Sequence, residues 1–491
     1  MITTYLEARE YLESLIKPIP YRNSDTDAPL YDPLERMRVL LSLLGNPERE
    51  FKSIQVSGTS GKGSTAYLIS HLLTAAGYKT GFTLSPHLMR ITERFQINEK
   101  QILEDDLLSL INKLVPIVAK MKDMEVGEPT YFEALMSLTF LYFAREKVDI
   151  AVVEVGLEGR YDGTNTLNPL LFVLTNVSLD HVEFLGDTNV KIASEAMGAI
   201  ENKNYESRIM NNGKALPTVI TGVEQKDVQQ VVREVCAREE LPLRMLGYDF
   251  WCDIQEVSER GVLFDYQPKD FCMHELFVSL TGEYQAPNAT LALEAVCGLQ
   301  QFGFTVTEET IREALKTAHF PGRFEKILIS HSHVIARNEA IHSLQDRHVA
   351  STPRDDSVEI ILDGAHNPAK MEAFVTSLQK IYPDEKYIVI FACKKDKDIT
   401  EIIKKLSSVV DTLIVTQYHV NTEAAKNSSM AVSDVLQQVE KAHIGSKVLS
   451  AENIQEAFRK ALEIADNQRK IVITGSLYLV GEMKTYLTEQ E

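Results

Sequence analysis

Ser57-Gly58-Thr59-Ser60-Gly61-Lys62-Gly63-Ser64-Thr65 stands between a short apolar run, Ile54–Val56, and a segment, Ala66–Ala76, in which Leu68, Ile69, Leu72, Leu73 and Ala76 recur at helical spacing. A glycine-rich turn from a strand into a helix N-terminus cradles anions, because its backbone N–H groups face inward and the helix dipole adds positive potential. The pattern predicts a nucleotide site over Gly58, Thr59, Ser60, Gly61 and Gly63. Lys62 is expected on the outer phosphates, and Ser64 or Thr65 beside a magnesium ion. The strict spacing G-x-x-x-x-G-K-S/T is not met: Val56 stands where the first glycine belongs, and Gly63 separates Lys62 from Ser64. Read alone, the stretch also fits an ordinary glycine-rich turn.

Outward from the loop, to about residue 215, the strand-like runs Ile54–Val56, Ile150–Val155 and Leu170–Thr175 alternate with helical patterns over 66–76 and Tyr131–Ala144. This alternation predicts a parallel sheet covered by helices, with binding groups at the carboxyl ends of its strands. Between Gly247 and Leu280, short alternating segments such as Gly261–Tyr266 and Leu276–Leu280 predict antiparallel strands appended to the first domain. Helices are expected over Ala286–Phe302 and Glu308–Ala318. A second series, with strands at Val358–Leu362, Tyr387–Phe391, Thr412–Thr416 and Lys470–Thr474, predicts a smaller α/β domain, so the chain divides into 1–320 and 321–491. Residues 330–357 are polar and aperiodic and read as an inserted surface loop. Its His331, His333, His342 and His348 read as exposed imidazoles and not as a metal site.

A length of 491 residues requires more than one core. With 70 Asp and Glu against 51 Lys and Arg, a net charge of −19, the surface excludes a nucleic-acid coat, so an anionic substrate requires a local basic pocket. Cys236, Cys252, Cys272, Cys297 and Cys393 are widely spaced and odd in number, which suggests neither a disulfide framework nor a zinc knuckle and fits the cytoplasm. Glu7, Arg9, Glu10 and Glu13 make the N-terminus an amphipathic helix and not a secretory segment. No apolar run approaches the ~18 residues of a membrane span.

Further motifs follow the loop in order. They are Ser85-Pro86-His87-Leu88, Glu154 through Asn165, Ser178-Leu179-Asp180-His181 through Gly186, Gln285-Ala286-Pro287-Asn288-Ala289, Pro321-Gly322-Arg323-Phe324-Glu325, Asp363-Gly364-Ala365-His366-Asn367-Pro368 and Gly475 through Gly481. The set resembles the folylpolyglutamate synthase and dihydrofolate synthase family of the Mur ligase superfamily over nearly the whole chain. The resemblance implies a P-loop ATPase domain and a C-terminal Rossmann-like ligase domain. It also implies an ATP-dependent amide ligase that adds L-glutamate to a folate or dihydropteroate carboxylate through an acyl phosphate, with ATP and Mg2+ and as a monomer. By motif position, Ser85 and Glu154 resemble ligands of a first magnesium ion, and His181 a ligand of a second. Lys62, His181 and His366 resemble the catalytic groups. Asn288 and Arg323 resemble nucleotide contacts, and Asp363 the ribose-side or hinge acid. Taken singly, Ser85 also reads as a turn cap, Glu154 as a salt-bridged strand end, His181 as a core imidazole and Asp363 as the acid of a tight turn. Arg160 and Asp162 read as loop-ordering groups. The Thr130–Leu135 segment resembles the pterin side.

The pattern breaks at one place. Where the family carries Glu-Lys-Ala-Gly-Ile, with its lysine carbamylated as an anionic bridge to the second magnesium ion, this chain has Glu195-Ala196-Met197-Gly198-Ala199. Ala196 cannot carry a carbamate, and Glu195, Lys191 and Lys203 are the available substitutes. Glu158 and Gly163 also depart from the family's glycine and alanine. Three readings follow: a folate ligase with an altered second metal site, a Mur-type ligase for another carboxylate, and an ATP-binding protein with impaired ligation.

Overall fold

The computed structural model describes residues 1–16, 33–157, 159–201, 203, 209–210, 213–214, 216–330, 357–395, 397, 399–422, 425–465 and 470–488. Six strands, β1 (Lys52–Ser57), β2 (Thr80–Thr83), β3 (Ile150–Glu154), β4 (Leu171–Leu174), β5 (Thr218–Thr221) and β6 (Leu243–Met245), form a parallel array in the order β6-β5-β4-β1-β3-β2. Gln96–Ile97 and Lys100–Gln101 extend its β2 edge antiparallel. β3 and β4 are buried on both faces, which is why they read as nearly continuous apolar runs. Ile54 and Val56 face one helical layer. On the other face, Gln55 donates to Thr164 Oγ1 (2.9 Å) and Asn165 Oδ1 (2.8 Å), fixing the turn beneath the sheet.

Helix α1 (Lys62–Ala75) is buried along most of its length, so its apolar stripe widens into a core helix. It begins at Lys62, four residues before the periodic pattern, because Gly63, Ser64 and Thr65 form its first turn without apolar side chains. Helix α2 (Tyr131–Glu146) covers the opposite face, and α3 (Asn189–Met197) packs against a third cluster. The strands β7 (Phe250–Ser258), β8 (Gly261–Pro268) and β9 (Met273–Val278) form a separate antiparallel sheet. Its Phe250, Phe264, Tyr266 and Leu276 share one core with α1 and α4 (Gln285–Gly298).

The C-terminal sheet comprises β10 (Glu325–Ser330), β11 (Ser357–Leu362), β12 (Tyr387–Phe391), β13 (Val410–Val415), β14 (Lys447–Ser450) and β15 (Ile471–Thr474), ordered β10-β11-β15-β12-β13-β14. Helix α5 (Pro368–Ile381) starts directly after the β11 exit. β10 runs antiparallel to β11, with Ser330 opposite Ser357, so the ends assigned to the inserted loop are strand residues. Residues 331–356, with the four histidines, lie outside the described residues, as does Glu158. Several strands are too short to show a period, among them Thr80–Thr83, Thr218–Thr221 and Leu243–Met245, and they were not expected from sequence. Among the described residues, no helix is long and apolar enough to cross a membrane.

Candidate active site

The carboxyl ends of β1, β2, β3 and β4 open into a cavity of about 690 Å³ that the C-terminal domain closes from the other side. Its wall begins with the glycine turn. Gly58 has φ +124°, and a Cβ there meets the Asn176 carbonyl oxygen at 2.9 Å; Gly61 has φ +80°, and a Cβ there meets Asn288 Cγ at 3.2 Å. Only glycine suits either position. The exit of β4 holds the turn: Thr59 N–H donates to Asn176 O (3.0 Å), Ser60 N–H to Asn176 Oδ1 (2.8 Å), and Thr175 Oγ1 to Ser60 O (2.6 Å). Lys62 Nζ folds back onto Gly58 O at 2.6 Å, across the mouth of the turn.

Glu154, the last residue of β3, is buried beside this loop, and its Oε2 accepts the Ser85 amide at 3.0 Å. Burial pushes its carboxyl up, while Lys62, the Ser85 amide, Arg323 and Arg94 pull it down. The hydroxyls Ser60 Oγ and Thr65 Oγ1 are buried without a protein partner. Glu154, Ser85, Ser64 and Ser60 all line the cavity. A buried carboxylate that shares one cavity with serine hydroxyls offers oxygen donors of the kind a hard divalent cation takes.

On the other side of β1, Asp180 and His181 follow the exit of β4. His181 has φ +47°, and burial, offset by Asp180 and reinforced by Lys397, Lys62 and Lys370, lowers its imidazole to about 4. It is therefore neutral near pH 7. Asp180 reaches into the C-terminal domain. It accepts from Lys397 Nζ (2.5 Å) and Asn367 Nδ2 (2.9 Å), and it lies 3.7 Å from Lys370 Nζ. Despite burial, Lys370 and Lys397, with the imidazoles of His181 and His366 beside them, hold its carboxyl well below the usual range.

Asn288 lines the cavity and donates to Gln285 Oε1 (3.1 Å). Arg323 lies over the Phe320 ring (5.4 Å) and donates to Gly322 O (3.1 Å) where the chain crosses between domains. Asp363 also lines the cavity, but both oxygens are engaged: Oδ1 accepts Ala365 N–H (2.8 Å), and Oδ2 accepts Phe324 N–H (2.9 Å) and Tyr284 O–H (3.1 Å). That geometry ties Tyr284, the crossing segment at Phe324 and the Ala365 turn to one carboxylate. His366 sets Nδ1 on Gly364 O (2.7 Å) and Nε2 on Lys370 Nζ (3.1 Å). Asp162 orders its own turn through Leu157 N–H (3.0 Å) and Thr164 N–H (2.9 Å), and Arg160 bonds Glu195 (3.4 Å) and Glu201 (3.3 Å).

Ala196 is fully buried in the apolar cluster with Leu185, Ile192 and Met197. Of its three suggested substitutes, Glu195 lines the cavity. Lys191 pairs with Asp187 on the surface (2.8 Å) and Lys203 donates to Leu167 O (2.8 Å), so neither reaches the cavity. Reading the sequence missed Lys370, Lys394 and Arg36, all of which line the cavity. Lys370 carried a signal: it occupies the first turn of α5, where a cation opposes the helix dipole and an acid is usual. Arg36 makes a bidentate pair with Glu133 (2.7 and 2.9 Å), holding the first turn of α2 and Phe132 against the cavity.

Residues 56–296 match the Mur ligase middle domain, and residues 346–487 match the dihydrofolate synthetase C-terminal domain. The chain belongs to the folylpolyglutamate synthase and dihydrofolate synthase family. It is thus an ATP-dependent ligase of the Mur type. It is similar to the dihydrofolate synthase/folylpolyglutamate synthase of Bacillus subtilis, with 29% identity over 99% of this chain and 100% of that one. The Lacticaseibacillus casei folylpolyglutamate synthase is 28% identical over 92% and 94% of the two chains. Among solved structures, this family member is similar to a Thermotoga maritima folylpolyglutamate synthase, with TM-score 0.74, 30% identity and coverage of 99% and 97%. It is likewise similar to the Mycobacterium tuberculosis enzyme complexed with ADP, with TM-score 0.79, 27% identity and coverage of 98% of each chain.

Proposed function

We propose that this ligase joins the amino group of L-glutamate to a carboxylate of a folate or dihydropteroate, with ATP activating that carboxylate. The observation that carries the reading is the meeting of the glycine turn, Lys62 and Glu154 from one domain with Lys370 and His366 from the other around one cavity. The whole-length likeness to enzymes named for both activities supports the substrate class.

A carboxylate oxygen of the acceptor attacks the γ-phosphorus of ATP. The P–O bond to ADP breaks and a P–O bond to the acceptor forms, giving an acyl phosphate. The glutamate nitrogen then attacks the acyl carbon. A C–N bond forms, the C–O bond to phosphate breaks, and the nitrogen gives up its proton. Two anions must approach each other in the first step, so the chain's work is to place positive charge around the moving phosphoryl group. The amides of Gly58–Gly63, Lys62 and Arg323 serve this purpose, with Asn288 on the nucleotide. Glu154, Ser85 and the loop hydroxyls would hold a magnesium ion, which supplies charge neutralisation at the phosphates. Phe132, backed by Arg36 and Glu133, offers an aromatic face to the pterin. In this reading the enzyme is monomeric and cytoplasmic, and its partners are small molecules.

The test incubates the protein with ATP, Mg2+, L-glutamate and either dihydropteroate or a reduced folate, and reads the acceptor by mass. One added glutamyl group per turnover with either acceptor is the expected result. No product with both, in a protein that binds ATP, refutes the substrate class. Burial of Ala196 in apolar surroundings favours a second reading, an ATP-binding protein with impaired ligation. Glutamylation at an ordinary turnover rate would eliminate it.

A further inference from the structure

The surroundings of His181 do not suit a divalent cation as those of Glu154 do. The adjacent carboxylate is already committed: Asp180 Oδ1 accepts Lys397 Nζ (2.5 Å) and the His181 amide (3.0 Å), while Oδ2 accepts Asn367 Nδ2 (2.9 Å). Ala196 offers a methyl group inside an apolar cluster, and Glu195 bonds Arg160. Asp180 is answered by Lys397 and Lys370, and Glu195 by Arg160, so an ion arriving there competes with the protein's own ammonium and guanidinium groups for its oxygen donors.

One of those ammonium groups is placed to act in the ion's stead. Lys370 lies in the first turn of α5, whose N-terminus is capped by Asn367 and has no acid in that turn. A cation there opposes the helix dipole unless an anion lies nearby. Its Nζ donates to His366 Nε2 at 3.1 Å and stands 3.7 Å from Asp180. His366 Nδ1 sits 2.7 Å from the Gly364 carbonyl, so that nitrogen carries the proton and Nε2 is the acceptor. His366 therefore has no proton to offer the cavity, whereas an ammonium has three N–H groups. Lys370 lines the cavity, with 22% of its side chain exposed.

We propose that Lys370 is the second cation of this active site: its ammonium, oriented by His366, binds the transferring phosphoryl group, and the protein works with one divalent ion per site. His366 is then a positioning residue. This rests on the phosphoryl-transfer step of the proposed function and not on the identity of the acceptor. Burial, opposed by Asp180 and reinforced by Lys62, Lys397 and Arg323, lowers Lys370 to about 8, which leaves it charged at neutral pH.

Two measurements on the full chain decide the matter. Manganese is titrated into protein saturated with AMPPNP and counted by EPR, and AMPPNP and ADP affinities are compared by calorimetry for wild type, Lys370→Met and Lys370→Arg. One manganese per chain is expected. AMPPNP should bind Lys370→Met at least about 10-fold more weakly, ADP should bind it within about twofold of wild type, and Lys370→Arg should recover part of the loss. A second tightly held manganese overturns the proposal. So does an unchanged AMPPNP affinity, or an equal loss for both nucleotides, which is the signature of a collapsed cleft. Should no folate be glutamylated, the substrate reading fails while the difference between nucleotides still judges Lys370.

Discussion

Glu154 ends β3 and Asp180 follows β4, the two strands that flank β1, and both are buried carboxylates whose surroundings treat them in opposite ways. Around Glu154, burial outweighs the nearby cations and raises its carboxyl. Around Asp180, Lys370, His181, His366 and Lys397 overwhelm the same effect and hold it low. One acid is kept poorly satisfied by protein and so is available to a ligand. The other is consumed in joining two domains. Burial alone therefore does not mark a binding carboxylate; what separates the two is how much of the charge the protein itself has answered.

Replacing each acid by its amide tests this contrast most sharply. Asp180→Asn deprives Lys397, whose side chain is 8% exposed, of its carboxylate, and is expected to lower stability by about 3–5 kcal/mol in denaturant titration. A loss below that range would mean that the domains meet mainly through other contacts. Glu154→Gln should leave the protein folded and reduce kcat by about 10²–10³-fold, the scale of losing one electrostatic stabiliser of a phosphoryl transition state. Near-normal turnover would remove Glu154 from the site. Asp363→Ala, which strips partners from Tyr284 O–H and the Phe324 and Ala365 amides, should cost about 1–3 kcal/mol by thermal melting.

The smallest effect concerns pH. Because the folded-state value for Glu154 is raised, the folded protein holds the proton more tightly than the unfolded chain. That contribution to stability is full below the unfolded value near 4.5 and is lost as pH rises through the folded one. In metal-free buffer, Glu154→Gln should therefore melt higher than wild type at pH 8, and the gap should close towards pH 4. A gap that widens on acidification would reverse the assigned sign.

The fold was legible wherever it rests on local pattern. β1, the turn and α1 are contiguous, and Glu154 could be placed at a strand end because parallel sheets gather their ligands at one edge; Ser85 was readable only from its motif, because the four-residue strand before it shows no period. The meeting of the domains was not legible. Asp180 and Lys397 are 217 residues apart, and no periodicity ties them. Short strands such as Thr218–Thr221 carry too few residues for alternation to show. The absence of a lysine at Ala196 was visible in sequence. That Lys191 and Lys203 point elsewhere depends on tertiary packing, which sequence does not display.

The Asp363 carboxylate grips Tyr284 of one lobe, the crossing segment at Phe324 and its own turn at Ala365. The lobes are pinned a second time where Asp180 takes Lys397 and Asn367. Two fixed points leave one axis of rotation, the line that joins them, so any widening of the crevice that keeps both contacts turns about that line.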